Sequence, residues 1–254
     1  MGTLLEIQHL YLAYHTRSGE TPALEDINLC VDSGEFVSLV GPSGCGKSTL
    51  LSAIAHLQEP SSGNILIHSE LLENKTAPVG YMFQHDQLLE WRTVLSNACL
   101  GLEIQKKLTK ENLTYVHHLL EAYGLDQFQN HYPSQLSGGM RQRAALIRTM
   151  ALKPEILLLD EPFSALDYQT RLQVSDEIYS ILKKAGKTAI LVTHDISEAI
   201  SLGDRVVVLS KRPGHVLRDI PIDFGSERMP LKVRKHPNFQ QYFQEIWEVM
   251  TREE

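Results

Sequence analysis

Apolar positions along the chain change their period several times, and each change marks an element. Residues 4–14 alternate between apolar and polar side chains, as a strand with one buried face does. A second alternation, Ile27, Leu29 and Val31, ends at the turn Asp32-Ser33-Gly34 and leads into the apolar run Phe36-Val37-Ser38-Leu39-Val40. A glycine-rich stretch interrupts this run, after which Leu50, Leu51, Ile54 and Ala55 resume at helical spacing. Pro60-Ser61-Ser62-Gly63 predicts a turn, Ile65-Leu66-Ile67 a strand, and Val79-Gly80-Tyr81-Met82-Phe83 a short strand ending at Gln84.

From residue 88 to 151 the period becomes helical. Helices are expected over 94–102, over 108–123 with Leu113, Val116, Leu119 and Leu120 on one face, and over 140–152. Gly124 closes the second and Pro154 stops the third. This block predicts a helical lobe inserted into an α/β domain. Strand texture then returns in Ile156-Leu157-Leu158-Leu159, Ala189-Ile190-Leu191-Val192 and Val206-Val207-Val208-Leu209. An amphipathic helix over 172–182, closed by Gly186, separates the first two, and Arg212-Pro213-Gly214 predicts a turn. At the end, Phe239, Tyr242, Phe243, Ile246, Trp247 and Met250 recur at helical spacing opposite polar Gln and Glu side chains. Packing onto the body of the chain explains that stripe most simply, and a partner-binding face is the alternative.

Composition narrows the class. With 254 residues and 43% hydrophobic side chains, the chain can build one large α/β domain with a smaller lobe. A net charge of -7 argues against a nucleic-acid binder, which carries a basic excess. Three scattered cysteines, Cys30, Cys45 and Cys99, form neither a disulfide framework nor a zinc pattern. No apolar run approaches membrane-spanning length, and the start lacks a charged leader and a cleavage site, while Glu6 breaks a myristoylation pattern. The expected location is cytoplasmic, with any membrane role reached through a partner.

Three stretches carry chemistry. Gly41-Pro42-Ser43-Gly44-Cys45-Gly46-Lys47-Ser48-Thr49 stands between a strand and a helix, the context a phosphate-binding loop requires. Its glycines let backbone amides curve around phosphate oxygens, and the new helix adds unpaired N–H groups. Lys47 is expected to reach the β- and γ-phosphates and the Ser48 hydroxyl to ligate Mg²⁺. Cys45, inside this loop, reads as a small spacer rather than a redox thiol. Asp160-Glu161 ends the four-residue apolar run that starts at Ile156. A carboxylate at the end of a core strand beside a phosphate loop can hold Mg²⁺ through water, and its neighbour can activate the attacking water. Third, in Leu136-Ser137-Gly138-Gly139-Met140-Arg141-Gln142-Arg143, Ser137 is set to cap a helix while two glycines leave amides exposed at its positive end.

With these stretches the chain resembles the ATP-binding subunits of ABC transporters over nearly its whole length. The resemblance implies an α/β fold: a P-loop NTPase ABC ATPase core with an antiparallel β subdomain and an inserted helical subdomain. The expected divisions are 1–87 for the first part of the core, 88–152 for the helical subdomain, 153–222 for the rest of the core and 223–254 for a C-terminal helical extension. It also implies roles. Tyr14, with Tyr11 the weaker candidate, would stack on adenine. Gln84 would contact Mg²⁺ and the catalytic water, Asp160 would coordinate Mg²⁺, and Glu161 would be the general base. His194 would contact the γ-phosphate. Ser137, Gly138 and Gly139 would bind the γ-phosphate of ATP held by a second copy, and Ser164-Ala165-Leu166-Asp167 would link the two sites.

The same resemblance implies two copies packed head to tail around two ATP molecules, docked on transmembrane permease subunits at the cytoplasmic face and served indirectly by a solute-binding protein. The segment Gln87-Leu88-Leu89-Glu90-Trp91-Arg92-Thr93-Val94 and the stretch Leu209-Ser210-Lys211-Arg212-Pro213-Gly214-His215-Val216 resemble the nitrate/sulfonate/taurine importer branch, which also includes importers of thiamine-pyrimidine precursors and riboflavin. Glu90 stands where that branch usually has proline, and Trp91 is a docking candidate, with core filling as the alternative. The alternative is a soluble, non-transport ABC ATPase. Such proteins often carry two cassettes, long coiled-coil insertions or basic regions, none of which occurs in this sequence. A nucleotide kinase would lack the Leu-Ser-Gly-Gly stretch.

Overall fold

The computed structural model describes residues 2–16, 19–72, 78–225 and 228–252. Two sheets organise the chain. The first is antiparallel, in the order β2-β1-β4-β5, from β1 (Thr3–Thr16), β2 (Gly19–Asp32), β4 (Ser62–Ile67) and the two-residue β5 (Glu70–Leu71). The second runs β10-β9-β3-β8-β7-β6, from β3 (Phe36–Val40), β6 (Val79–Met82), β7 (Ile156–Asp160), β8 (Thr188–Val192), β9 (Arg205–Leu209) and β10 (Val216–Pro221). Its strands pair in parallel except at the β10 edge.

The continuous apolar runs of β3, β7 and β8 are buried along their whole length because both faces of the sheet are covered. Alternate residues serve different layers. Val37, Leu39, Ile156, Leu158, Ile190 and Val192 pack with α1 (Lys47–Ile54) and the antiparallel sheet. Phe36, Leu157, Leu159 and Leu191 pack on the other side with α2 (Val94–Ile104), α3 (Lys110–Ala122), α4 (Gly138–Met150) and α5 (Tyr168–Lys184). A third cluster gathers Val40, Val206 and Val208 with α6 (Ile196–Leu202) and α8 (Phe239–Thr251).

Several element ends differ from the expectation. Phe83 leaves the strand, half exposed, and its ring lies 4.5 Å from that of Tyr81. The helix expected from residue 172 begins at Tyr168, because the Asp167 carboxylate accepts from the Thr170 N–H and starts the first turn early. The helix expected to reach residue 152 ends at Met150, ahead of Pro154. The elements not expected include α6, β10, the two-residue β5 and the single turn α7 (Pro230–Val233). The C-terminal stripe does pack on the body: Ile246 is fully buried in the third cluster, whereas Trp247 stays half exposed.

Candidate nucleotide site

The site follows from strand order. β3, β6, β7 and β8 are parallel members of one sheet, so the segments after Val40, Met82, Asp160 and Val192 emerge at its carboxyl edge. That edge is where open α/β sheets bind ligands. It brings the phosphate loop, Gln84, Asp160-Glu161 and His194 together from positions far apart in the sequence. Between them lies a cavity of about 540 Å³, whose lining includes Tyr14, Lys47, Ser48, Gln84, Glu161 and His194.

The loop from 41 to 46 is shaped by close approach. Gly46 has φ +105 at the start of α1, and a Cβ there would stand 2.6 Å from Leu24 Cδ2 and 2.9 Å from the Ala23 carbonyl. Lys47 is almost buried, and its Nζ donates to the carbonyls of Gly41 at 2.8 Å and Pro42 at 2.9 Å. Ser43, Gly44 and Thr49 also line the cavity, while Cys45 is buried behind it with its Sγ 3.6 Å from Lys47 Nζ. The Tyr14 hydroxyl lies 2.9 Å from Thr49 Oγ1, which ties the antiparallel sheet to the start of α1.

On the facing side, Ser48 Oγ donates to Asp160 Oδ1 at 2.9 Å and the Tyr81 hydroxyl donates to Oδ2 at 3.1 Å. Burial lifts the Asp160 carboxyl above its ordinary value, against the two bonds that favour its charge. Burial, helped by the Asp160 charge, also pushes the Tyr81 phenol up. A hydroxyl and a carboxylate side by side, with the Gln84 amide nearby, form the hard oxygen set that suits Mg²⁺. Glu161 holds a left-handed backbone, φ +44, with its N–H on the Val192 carbonyl at 2.9 Å. Its Oε2 lies 3.0 Å from His194 Nδ1 and 3.4 Å from Gln84 Nε2.

Ser137, Gly138 and Gly139 do not join this cavity. They open α4, where Ser137 Oγ accepts from the Met140 N–H at 3.4 Å. Side chains from α4 reach back instead to the segment after Gln84. Arg141 binds the carboxylates of Asp86 and Glu90, and Arg148 binds the carbonyls of Asp86 and Gln87. Glu90 is therefore a partner of Arg141. Nearby Trp91 is 75% exposed. Several residues at the site were not read from the sequence, Ala23 in the cavity lining among them. Tyr81 was hidden in a strand pattern. Arg212 lines the cavity and donates to the Pro22 carbonyl at 2.8 Å. Gly214, from the same turn, approaches so closely that a Cβ would stand 2.1 Å from the Cys45 carbonyl oxygen.

Fold and site together define a P-loop nucleotide-binding protein with a phosphate loop, an acidic pair and a histidine at one sheet edge. The ABC transporter family model matches residues 24–164. The chain is 44% identical to the ABC transporter ATP-binding protein YtlC of Bacillus subtilis, over 98% of this chain and 96% of that protein. It is 40% identical to the nitrate import ATP-binding protein NrtD of Synechocystis, covering 95% and 93%, and 42% identical to the taurine import ATP-binding protein TauB of Escherichia coli, covering 87% and 86%. Among solved structures it resembles the dimeric, post-hydrolysis ATP-binding cassette MJ0796 bound to ADP and Pi, with TM-score 0.74, 31% identity, and coverage of 87% of this chain and 99% of that one. The chain belongs to the ABC transporter family, as one of its ATPase cassettes.

Proposed function

We propose that the chain is the ATP-hydrolysing subunit of an importer for a small solute, of the nitrate, sulfonate or taurine kind or a thiamine-pyrimidine precursor. Two copies would close around two ATP molecules and act on transmembrane permease subunits from the cytoplasmic face. The observation that carries this reading is the separation within one chain of the nucleotide cavity from Ser137, Gly138 and Gly139. Amides at a helix start suit a phosphate, and only another chain can bring these to the ATP held here. The dimeric state of the MJ0796 cassette supports the same arrangement.

In this reading the amides of residues 41–49 and the Lys47 ammonium hold the β- and γ-phosphates. Tyr14 packs on the base. Ser48, Asp160 and Gln84 would hold Mg²⁺, which supplies charge neutralisation on the phosphate oxygens. Glu161 takes a proton from the attacking water, oriented by His194 Nδ1 and the Gln84 amide on its Oε2. The second copy's counterpart of Ser137 contributes donors to the developing charge. Import is favoured over other ABC activities by the names of the relatives, nitrate import and taurine import. Among the described residues no helix is long and apolar enough to cross a membrane, so permease subunits would supply the channel.

The test is to isolate the tagged chain from detergent-solubilised native membranes and identify its companions by mass spectrometry. A multi-span membrane protein is the expected companion. Recovery with soluble partners alone would overturn the importer and leave the ATPase standing.

A further inference from the structure

The segment behind Gln84 is bound to the helical lobe. Arg141 Nε donates to Asp86 Oδ2 at 2.8 Å, and its Nη2 donates to Asp86 Oδ1 at 3.1 Å and to Glu90 Oε1 at 2.8 Å. Arg148, two turns further along α4, donates to the carbonyls of Asp86 and Gln87, both at 2.6 Å. On α2, the fully buried Asn97 accepts from the Leu89 N–H at 2.8 Å and donates to the carbonyls of Leu89 and Arg92 at 3.1 and 3.0 Å. Residues 86–92 are thereby fixed to α2 and α4. Met82, by contrast, is paired with Leu159 inside the parallel sheet. Only residues 83–85 lie between a strand of the core and a segment tied to the lobe, and Gln84 is the middle one.

Arg141 also stands one turn after Ser137, whose carbonyl accepts its N–H at 2.9 Å. The Arg141 and Asp86 side chains are mostly buried, at 26% and 18% exposure. Although burial opposes the charge, the guanidinium and the Leu88 N–H hold the Asp86 carboxyl below its ordinary value. A forked pair of this kind is stronger and more directional than a surface ion pair.

We propose that Arg141 is a positioning residue for ATP hydrolysis: by holding Asp86 and Glu90 it fixes the segment behind Gln84 to the first turn of α4, so that contact of Ser137 with the other copy's ATP holds Gln84 in its place beside Glu161. The inference rests on the proposed roles of Ser137, Gln84 and Glu161. Its expected signature is a loss of turnover and of cooperativity between the two sites, with ATP affinity kept, because Arg141 lies outside the lining of the nucleotide cavity. A fastener with no positioning role would lower thermal stability and leave the turnover of the folded protein unchanged.

The experiment measures steady-state hydrolysis of Mg·ATP by the full chain and by Arg141→Met, Asp86→Asn, their double variant and Arg141→Lys. Arg141→Met should lower kcat on the order of tenfold to a hundredfold with KM nearly unchanged, and should bring the Hill coefficient toward one. Asp86→Asn should do the same, and the double variant should be no slower than Arg141→Met. Arg141→Lys, whose single ammonium cannot fork, should fall between and serves as the test if Arg141→Met does not fold. Turnover within about twofold of wild type in the folded variants, a parallel rise in KM, or multiplied effects in the double variant would overturn the proposal. ATP-driven dimerisation of Glu161→Gln separates the two levels. If it is absent, the functional reading fails and takes this inference with it; if it is present while Arg141→Met turns over normally, only the inference fails.

Discussion

His194 Nδ1 stands 3.0 Å from Glu161 Oε2, and the two residues come from loops following adjacent parallel strands. The imidazole and the carboxylate act as one unit in the proposed chemistry. Removing the base should cost about 10²- to 10⁴-fold in turnover. Glu161→Gln is therefore expected to bind ATP, barely hydrolyse it and accumulate as a dimer, measured by phosphate release and size-exclusion chromatography. Combining it with His194→Ala should cost far less than the product of the single losses. Near-native turnover in Glu161→Gln would remove this residue from the role of base.

Asp160 meets the Ser48 hydroxyl at 2.9 Å, and the pair forms the proposed Mg²⁺ site together with Gln84. Wild type should melt higher with Mg·ATP than with ATP and EDTA, because the complete ligand binds the folded state more tightly. In Asp160→Asn that difference should vanish and hydrolysis should fall by about 10²-fold or more. A full Mg²⁺-dependent rise in melting temperature in this variant would place the metal elsewhere.

Glu198, in the first turn of α6, is almost completely buried with Oε1 unpartnered, and burial pushes its carboxyl up to about 7. A carboxyl raised in the folded state binds protons more tightly there than when unfolded. Its contribution to stability is therefore full below about pH 4.5 and is lost as pH rises to about 7. Glu198→Gln should flatten the stability profile across that window and gain most over wild type at pH 7 and above. Urea midpoints measured at pH 5 and pH 8 decide it. An equal change at both would show that the charge has no part in it.

Gly214 lets the 212–214 turn press against the phosphate loop, where a Cβ would meet the Cys45 carbonyl oxygen at 2.1 Å. Gly214→Ala should cost about 1–3 kcal/mol of stability, as overpacking does, and should weaken ATP binding although residue 214 is outside the loop. Gly2→Ala, with nothing within 4 Å of the added carbon, should change neither. Chemical denaturation and nucleotide titration check both variants.

Trp91 is the proposed anchor for the permease. Trp91→Ala should leave hydrolysis by the isolated chain unchanged and weaken its attachment to membranes. A well-packed aromatic anchor is worth about 2 kcal/mol or more at an interface. Flotation of native membranes with bound chain, wild type against variant, reads the difference, and equal attachment would assign Trp91 no role there.

Much of the core was legible because β3, β7 and β8 are covered on both faces and so leave unbroken apolar runs. α6 left no such trace. It is seven residues long, buried all round, and carries a buried glutamate, so it shows no amphipathic period. β10 is an edge strand bearing Arg218, Asp219 and Pro221, which reads as a loop. The phosphate loop, the acidic pair and the Leu136-Ser137-Gly138-Gly139 stretch are local patterns and could be read directly. The meeting of Gln84, Glu161 and His194 depends on strand order, and the hold of Arg141 on Asp86 spans 55 positions. No local pattern encodes either.

Strand order has a consequence for biosynthesis. β3, which carries the phosphate loop, is flanked by β8 and β9 and by neither of its neighbours in sequence. At synthesis rates of about 5–20 residues per second, the flanking strands follow it by roughly 7 to 34 seconds. For that interval Val37, Leu39 and Val40 have no lateral partners on a growing chain. The nucleotide cavity is thus among the last features to form, and a nascent chain stalled before residue 188 carries its phosphate loop on an apolar strand that has no lateral partner.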